Sequence, residues 1–261
     1  MAVEVGNVCF DQLPKEILLK IFCYLTSTDI LTKIALVCKK FQNLSQDYSL
    51  FDEITIRDWH KPSTLRNALK VRYKYDGFYK FLDSKKIRRI NFNKCTDDTI
   101  ITNVIKILSQ SLTCVNIKNS TVHRDGLKSL VKLEHLKHLH LEKNLSATPA
   151  TFIEPYIPFT SIYLETLKIS DNEFYGAGNW SFSHLSKSML LQELEISILN
   201  LNEIGLENIS RIKFLKKLTL KKLTMQHISE ESLLGMVSHK ILITIFFNSL
   251  QYWFIFEILD S

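Results

Sequence analysis

Large apolar residues return along the chain in one spacing, apolar-x-x-apolar-x-apolar. It occurs at Phe51/Ile54/Ile56, Ile87/Ile90/Phe92, Leu112/Val115/Ile117, Leu136/Leu139/Leu141, Leu164/Leu167/Ile169, Leu191/Leu194/Ile196 and Leu215/Leu218/Leu220. From Ile87 onward the starts lie 25, 24, 28, 27 and 24 residues apart. Each triplet reads as a short strand, and the fixed period predicts a stacked array whose strands form one parallel sheet. A single unit would bury only about five large apolar side chains, worth roughly 1.5–3 kcal/mol each, against about 1–2 kcal/mol for every ordered backbone residue. Stacking is what covers its apolar face. The ninth position of each unit turns the chain away from the sheet and holds Cys95, Ser120, Asn144, Asn172, Leu199 and Leu223. Asparagine and serine can hydrogen-bond the turn backbone and leucine cannot, so the last units should be less regular.

Ahead of the array the period changes to that of helices. Leu13, Ile17, Leu18, Ile21, Phe22 and Leu25 form one such set, Ile30, Leu31, Ile34, Ala35, Val37 and Cys38 a second, and Phe41 with Leu44 a short third that should end near Asp47. Pro14 suits a first helical turn, and Thr26 to Asp29 suit an N-cap. A module of about 40 residues is at the lower limit for an independent core, so its apolar surplus calls for a cover.

These residues carry a family resemblance. Leu13-Pro14, Glu16-Ile17-Leu18, Ile21-Phe22, Leu25, Asp29, Ala35 to Lys39, Phe41 and Leu50-Phe51 are similar to an F-box from end to end, with Phe41 and Phe51 where many members have tryptophan. With the array included, the chain resembles F-box/leucine-rich-repeat proteins over nearly its whole length, and Cys95-Thr96-Asp97 resembles their cysteine-containing repeat subtype. The resemblance implies the substrate-recognition subunit of an SCF (Skp–cullin–F-box) E3 ubiquitin ligase. Three helices would dock a Skp-family adaptor and, through it, the cullin–RING core, while the repeats bind the protein substrate. Adaptor contact is expected from Leu13, Pro14, Ile17, Leu18, Ile21, Phe22, Leu25, Leu31, Val37, Cys38 and Phe41.

The expected fold is α/β, a three-helix F-box followed by about six to seven repeats with a parallel sheet on the concave face. Its divisions are a disordered lead (1–9), the F-box (10–51), a connecting strand and basic helix (52–86, the helix capped by Ser63 or Thr64), the repeats (87–240) and an apolar strand or cap (241–261). Outer helices are expected over Asp97 to Ser111, Asp125 to Leu133 and Glu203 to Ile212. Pro149, Pro155 and Pro158 exclude one continuous helix over 145–163, and Gly176 and Gly178 loosen the next return. In the tail, Leu242/Ile245/Phe247 starts 27 residues after Leu215, which predicts a seventh strand with the aromatic end folded over the sheet edge. A membrane anchor needs about 20 predominantly apolar residues, and Asn248, Ser249, Gln251 and Glu257 interrupt this stretch. A poorly packed end is the third option, and an aggregation hazard.

Composition adds boundaries. With 46% hydrophobic and 23% charged residues the chain can hold a substantial core. Five scattered cysteines without a CxxC argue against a disulfide scaffold or zinc ribbon and for a reducing compartment, cytoplasmic or nuclear; the N-terminus shows no secretory pattern. The net charge of +6 is local: residues 57–89 hold eleven Lys and Arg against three Asp. The run from Lys70 to Arg89, interleaved with Tyr73, Tyr75, Phe78, Tyr79 and Phe81, is the candidate for nucleic acid or acidic partners, weighed against a helix that packs its aromatics and wets its lysines.

The third, fifth and seventh residues of each unit should face solvent on the concave side. They are Arg89, Asn91, Asn93, Cys114, Asn116, Lys118, His138, His140, Glu142, Thr166, Lys168, Ser170, Glu193, Glu195, Ser197, Lys217, Thr219 and Lys221, a mixed surface suited to a protein partner. Register would set Cys114 beside His138, next to His140, but no carboxylate is placed to orient the imidazoles, and no metal or other cofactor is expected. With no G-x-S-x-G, no phosphate-binding glycine loop and no H-E-x-x-H, no catalytic residues are assigned and the chain is not expected to be an enzyme.

Overall fold

Among the described residues nine strands carry the architecture: β1 Glu53–Arg57, β2 Arg89–Asn93, β3 Cys114–Lys118, β4 His138–Glu142, β5 Thr166–Ser170, β6 Glu193–Ser197, β7 Lys217–Leu223, β8 Leu242–Phe247 and β9 Phe254–Phe256. The computed structural model describes residues 10–25, 29–30, 33–59, 78–84, 86–145, 163–172, 185, 188–197, 203–223, 242–247 and 254–256. The expectations for 1–9, for the helix after Ser63 or Thr64, for Leu31, Leu199, Gly176 and Gly178, and for nearly all of the proline-bearing return segment lie outside them.

The strands form one sheet in chain order, β1 to β8 parallel and β9 antiparallel to β8. Along β1 to β6 apolar and polar residues alternate, and the pleat sends them to opposite faces. The apolar triplets stay in phase: Ile54 faces Ile90, Ile90 faces Val115, Val115 faces Leu139, and so on to Leu194 and Leu218. These side chains are buried. Helices follow β2, β3 and β6 on the buried side, as α3 Asp98–Ile107, α4 Arg124–Val131 and α5 Glu203–Ser210. A strand does begin at Leu242, but Ile243 and Ile245 stand opposite Leu218 and Leu220 and are buried, so the triplet expected at Leu242/Ile245/Phe247 is out of phase by two residues; β9 runs antiparallel to β8.

Two devices recur at the ends of the first five strands. The residue after the strand adopts positive φ at Asp58, Lys94, Asn119, Lys143 and Asp171 (51°, 55°, 48°, 52° and 53°). That conformation costs about 1–2 kcal/mol for a residue with a Cβ. Hydrogen bonds to the next strand offset it: the Asp58 N–H donates to Asn93 O, Lys94 to Lys118 O, Asn119 to Glu142 O and Lys143 to Ser170 O, at 3.0–3.1 Å. One position further on, the ninth residues form a ladder. The Cys95 N–H donates to Ser120 Oγ, the Ser120 N–H to Asn144 Oδ1 and the Asn144 N–H to Asn172 Oδ1, each at 3.0 Å. Asn144 Nδ2 and Asn172 Nδ2 return hydrogen bonds to the carbonyls of Ile117 and Leu141 at 2.7 and 2.8 Å.

The N-terminal module contributes α1 Lys15–Phe22 and α2 Lys39–Leu44. Pro14 stands one step before the first helix rather than inside its first turn, and its carbonyl accepts the N–H groups of Ile17 and Leu18 at 3.1 Å. The second apolar set does not form a continuous α-helix over its described residues: Ile34–Leu36 is a 3-10 turn. The third helix ends at Leu44, and Asp47 caps a further 3-10 turn, Tyr48–Phe51, that leads into β1. The interior of this module and that of the sheet are one continuous apolar cluster running from Leu18 to Ile245.

Candidate functional site: two interaction surfaces

The module's interior is set by Leu18, Phe22, Ile30, Phe41, Leu44, Leu50 and Phe51, all buried. Phe22 meets Phe41 edge-on with ring centroids 5.2 Å apart. Leu18, Phe22 and Phe41 are therefore internal packing and not surface, which corrects their assignment to adaptor contact. Helical spacing names the apolar residues of α1 without telling which look inward. Leu13 and Ile21 are half-buried against the core. Pro14, Ile17, Leu25, Val37 and Cys38 are exposed.

The exposed set also includes residues that sequence reasoning passed over: Tyr24 is 92% exposed, Leu36 78% and Phe10 57%. Leu36 was missed because an α-helical period turns it away from Ile34 and Val37. In the 3-10 turn the chain advances differently, and Leu36 and Val37 both emerge. Burying a side chain as open as Leu36 would contribute about 1.5–3 kcal/mol to any complex that covers it. The frame beneath is held by Lys40 Nζ donating to Leu13 O at 2.9 Å and by a Lys15–Asp47 ion pair at 3.1 Å. The Ser49 hydroxyl bonded to Asp47, with Lys15 helping, holds the Asp47 carboxyl below its ordinary value.

The second surface is the sheet face opposite the core. All the residues assigned to it from sequence lie on strands at the outward positions, although Ser170 and Thr219 are buried there. Its charges are spent across strands. Arg89 pairs with Glu53 at 3.2 Å, Lys118 with Glu142 at 2.7 Å, Lys168 with Glu193 at 3.6 Å and Lys221 with Glu195. Asn91 Nδ2 donates to Glu53 at 2.6 Å, and Asn93 accepts from Asn119 at 3.2 Å. Lys217 remains exposed. Asn116 and His140 face each other across β3–β4, and Asn116 Oδ1 and His140 Nε2 are buried without a hydrogen-bond partner among the described residues. Burial, with Lys168, His138 and Lys118 nearby, pushes the His140 imidazole below its ordinary value. Cys114 does stand opposite His138. Burial, with Glu53 adding to it, raises its thiol above the ordinary value. His138 Nδ1 lies 3.2 Å from Thr166 Oγ1. Among the described residues no three His, Cys, Asp or Glu converge as a metal set.

Much of the basic segment from Lys70 lies outside the described residues. Of the rest, Phe78, Tyr79 and Phe81 pack against the core. Arg88 pairs with Asp52, and Arg89 lies 3.0 Å from Asp52 as well as bonding Glu53. No described helix is long and apolar enough to cross a membrane.

A family model for F-box-like domains matches residues 10–57, from the exposed Phe10 through the end of β1. F-box-like domains bind adaptors of the Skp type as a class, and an N-terminal domain of this kind points in general to the substrate-adaptor subunit of an SCF-type ligase. No curated protein matches the chain.

Proposed function

We propose that the chain is the substrate receptor of an SCF-type E3 ubiquitin ligase, an F-box joined to a leucine-rich-repeat solenoid and acting in the cytosol or nucleus. The observation that carries this reading is the exposed apolar face of the F-box-like domain: Ile17, Leu25, Leu36 and Val37 are open over an interior that is already filled. That face takes the Skp-family adaptor, which links to the cullin–RING core. The open sheet face takes a protein substrate. Its ion pairs set the register of a partner more than they supply affinity.

Under this reading the chain performs no chemistry. It raises the effective concentration of substrate lysines at the charged E2, and the continuous core between domain and sheet makes the tether stiff. Co-purification with the Skp-family adaptor tests the reading. The wild-type chain should bring the adaptor down, and Leu13→Ala with Pro14→Ala should weaken capture. A wild-type chain that captures none would sink it.

A further inference from the structure

The point where the chain enters each strand forms a rim of its own. Backbone hydrogen bonds align Thr113, Lys137, Glu165, Gln192 and Lys216 across the sheet: each N–H from Lys137 onward donates to the carbonyl one strand back, at 2.8–2.9 Å. Two residues earlier, the same phase sets His135, Tyr163, Leu190 and Phe214 in a row. Their next neighbours, Leu136, Leu164, Leu191 and Leu215, are buried. The row itself is open, with Tyr163 45%, Leu190 41% and Phe214 55% exposed and Met189 beside it at 66%. His135 and Tyr163 have ring centroids 6.5 Å apart. A single exposed apolar side chain needs no explanation, but a contiguous row at the repeat period does. Three strand spacings put His135 and Phe214 about 14 Å apart.

His135 also lines a groove of about 660 Å³ between α3 and α4. Lys106, Lys128 and Lys132 stand on its walls, with Asp125 and Glu134 as the carboxylates. None of the three lysines is in an ion pair among the described residues, whereas Lys118, Lys168 and Lys221 on the open sheet face are all paired. These three lysines place unpaired positive charge at one end of the apolar row.

We infer that the rim and groove together form a second docking site, for an extended segment of a partner protein that carries large apolar side chains followed by carboxylates. The apolar side chains lie along Tyr163, Leu190 and Phe214, and the carboxylates reach Lys106, Lys128 and Lys132. A strand rising about 3.3 Å per residue crosses the row in four to five residues, presenting alternate side chains to it. The site is separate from both the F-box-like face and the open sheet face, so it stands whether or not an adaptor binds.

The test uses the full chain and a short fluorescein-labelled peptide in which leucine and phenylalanine at alternate positions precede a run of glutamates. A scrambled peptide of the same composition is the control. Anisotropy should show saturable binding, tighter for the ordered peptide. Tyr163→Ser with Phe214→Ser should weaken it about tenfold or more, as loss of aromatic anchors does. Lys128→Glu with Lys132→Glu should weaken it too and flatten its salt dependence, and circular dichroism should show that both pairs fold. No saturable binding, equal binding of the scrambled peptide, or indifference to either pair of substitutions overturns the site. So does sedimentation showing a dimer of this chain that Phe214→Ser dissociates, because the rim is then a self-contact.

Discussion

The ring of Phe51 stands edge-on to that of Phe81, centroids 5.2 Å apart and planes at 84°. Phe51 closes the F-box-like helices and is 1% exposed, while Phe81 belongs to the helical stretch at 78–83 that precedes β2. The contact makes the domain and the sheet one packed body. Phe51→Ala should therefore destabilise the whole chain, by about 3–5 kcal/mol, the range for a buried phenylalanine. Urea unfolding followed by circular dichroism should show a single transition at lower denaturant. Two separated transitions would mean that the join carries little.

The ladder at the strand exits predicts a cost that no apolar contact explains. Asn144→Ala removes the partners of the Ser120 N–H and of the Ile117 carbonyl. Each buried group left unpaired costs about 1–3 kcal/mol. Denaturant midpoints should fall accordingly, and hydrogen exchange at the Ser120 amide should accelerate, while Asn144→Ser should recover part of the loss.

Gly126 reverses a familiar sign. Alanine in place of a helical glycine usually stabilises by about 0.8–1.0 kcal/mol. A Cβ at Gly126 would lie 2.5 Å from Asp98 Oδ1 and 3.2 Å from Val122 Cγ1. Asp98 has little room to yield, because Oδ1 accepts the His123 N–H at 2.9 Å. Gly126→Ala should destabilise by about 1–3 kcal/mol, as overpacking does. In the double variant with Asp98→Ala the two losses should fall short of additive.

On the open sheet face, Lys118 bonded to Glu142 holds that carboxyl below its ordinary value. A lowered carboxylate contributes stability that is present above its unfolded value, near 4.5, and lost as pH falls through the lower folded value. Burial raises Asp98 instead, so its contribution runs the other way and grows as the pH falls. Denaturant midpoints measured on the acid side should decline less steeply with falling pH for Glu142→Gln than for wild type, and more steeply for Asp98→Asn. The effect of Glu142 should be modest, because the pair is solvent-screened.

Much of the fold was legible because the sheet repeats one local rule. The last two residues of each apolar triplet from Ile54/Ile56 to Leu218/Leu220 sit on a strand, and Ser120, Asn144 and Asn172 make the hydrogen bonds their chemistry suggested. The exposed apolar face of the F-box-like domain was legible as a composition and not as a map. Ile17 and Leu18 are adjacent and equally apolar, yet one is 42% exposed and the other fully buried. Only the packing of α1 on α2 decides between them. The 3-10 turn at Ile34–Leu36 broke the helical period that would have pointed to Leu36. The rim follows the repeat period but has no common residue type, since Ser111, His135, Tyr163, Leu190 and Phe214 share only their place in successive units.

The most direct measurement of the central claim is titration of the purified chain with a Skp-family adaptor by calorimetry. The wild-type chain should form a one-to-one complex. Leu36→Asp with Val37→Asp, which changes open positions and leaves Leu18, Phe22 and Phe41 untouched, should weaken it about a hundredfold or more, as loss of central apolar anchors does. Phe214→Ser, away from that face, should bind like wild type. No heat and no complex with the wild-type chain, or full affinity in the double aspartate variant, would contradict the account.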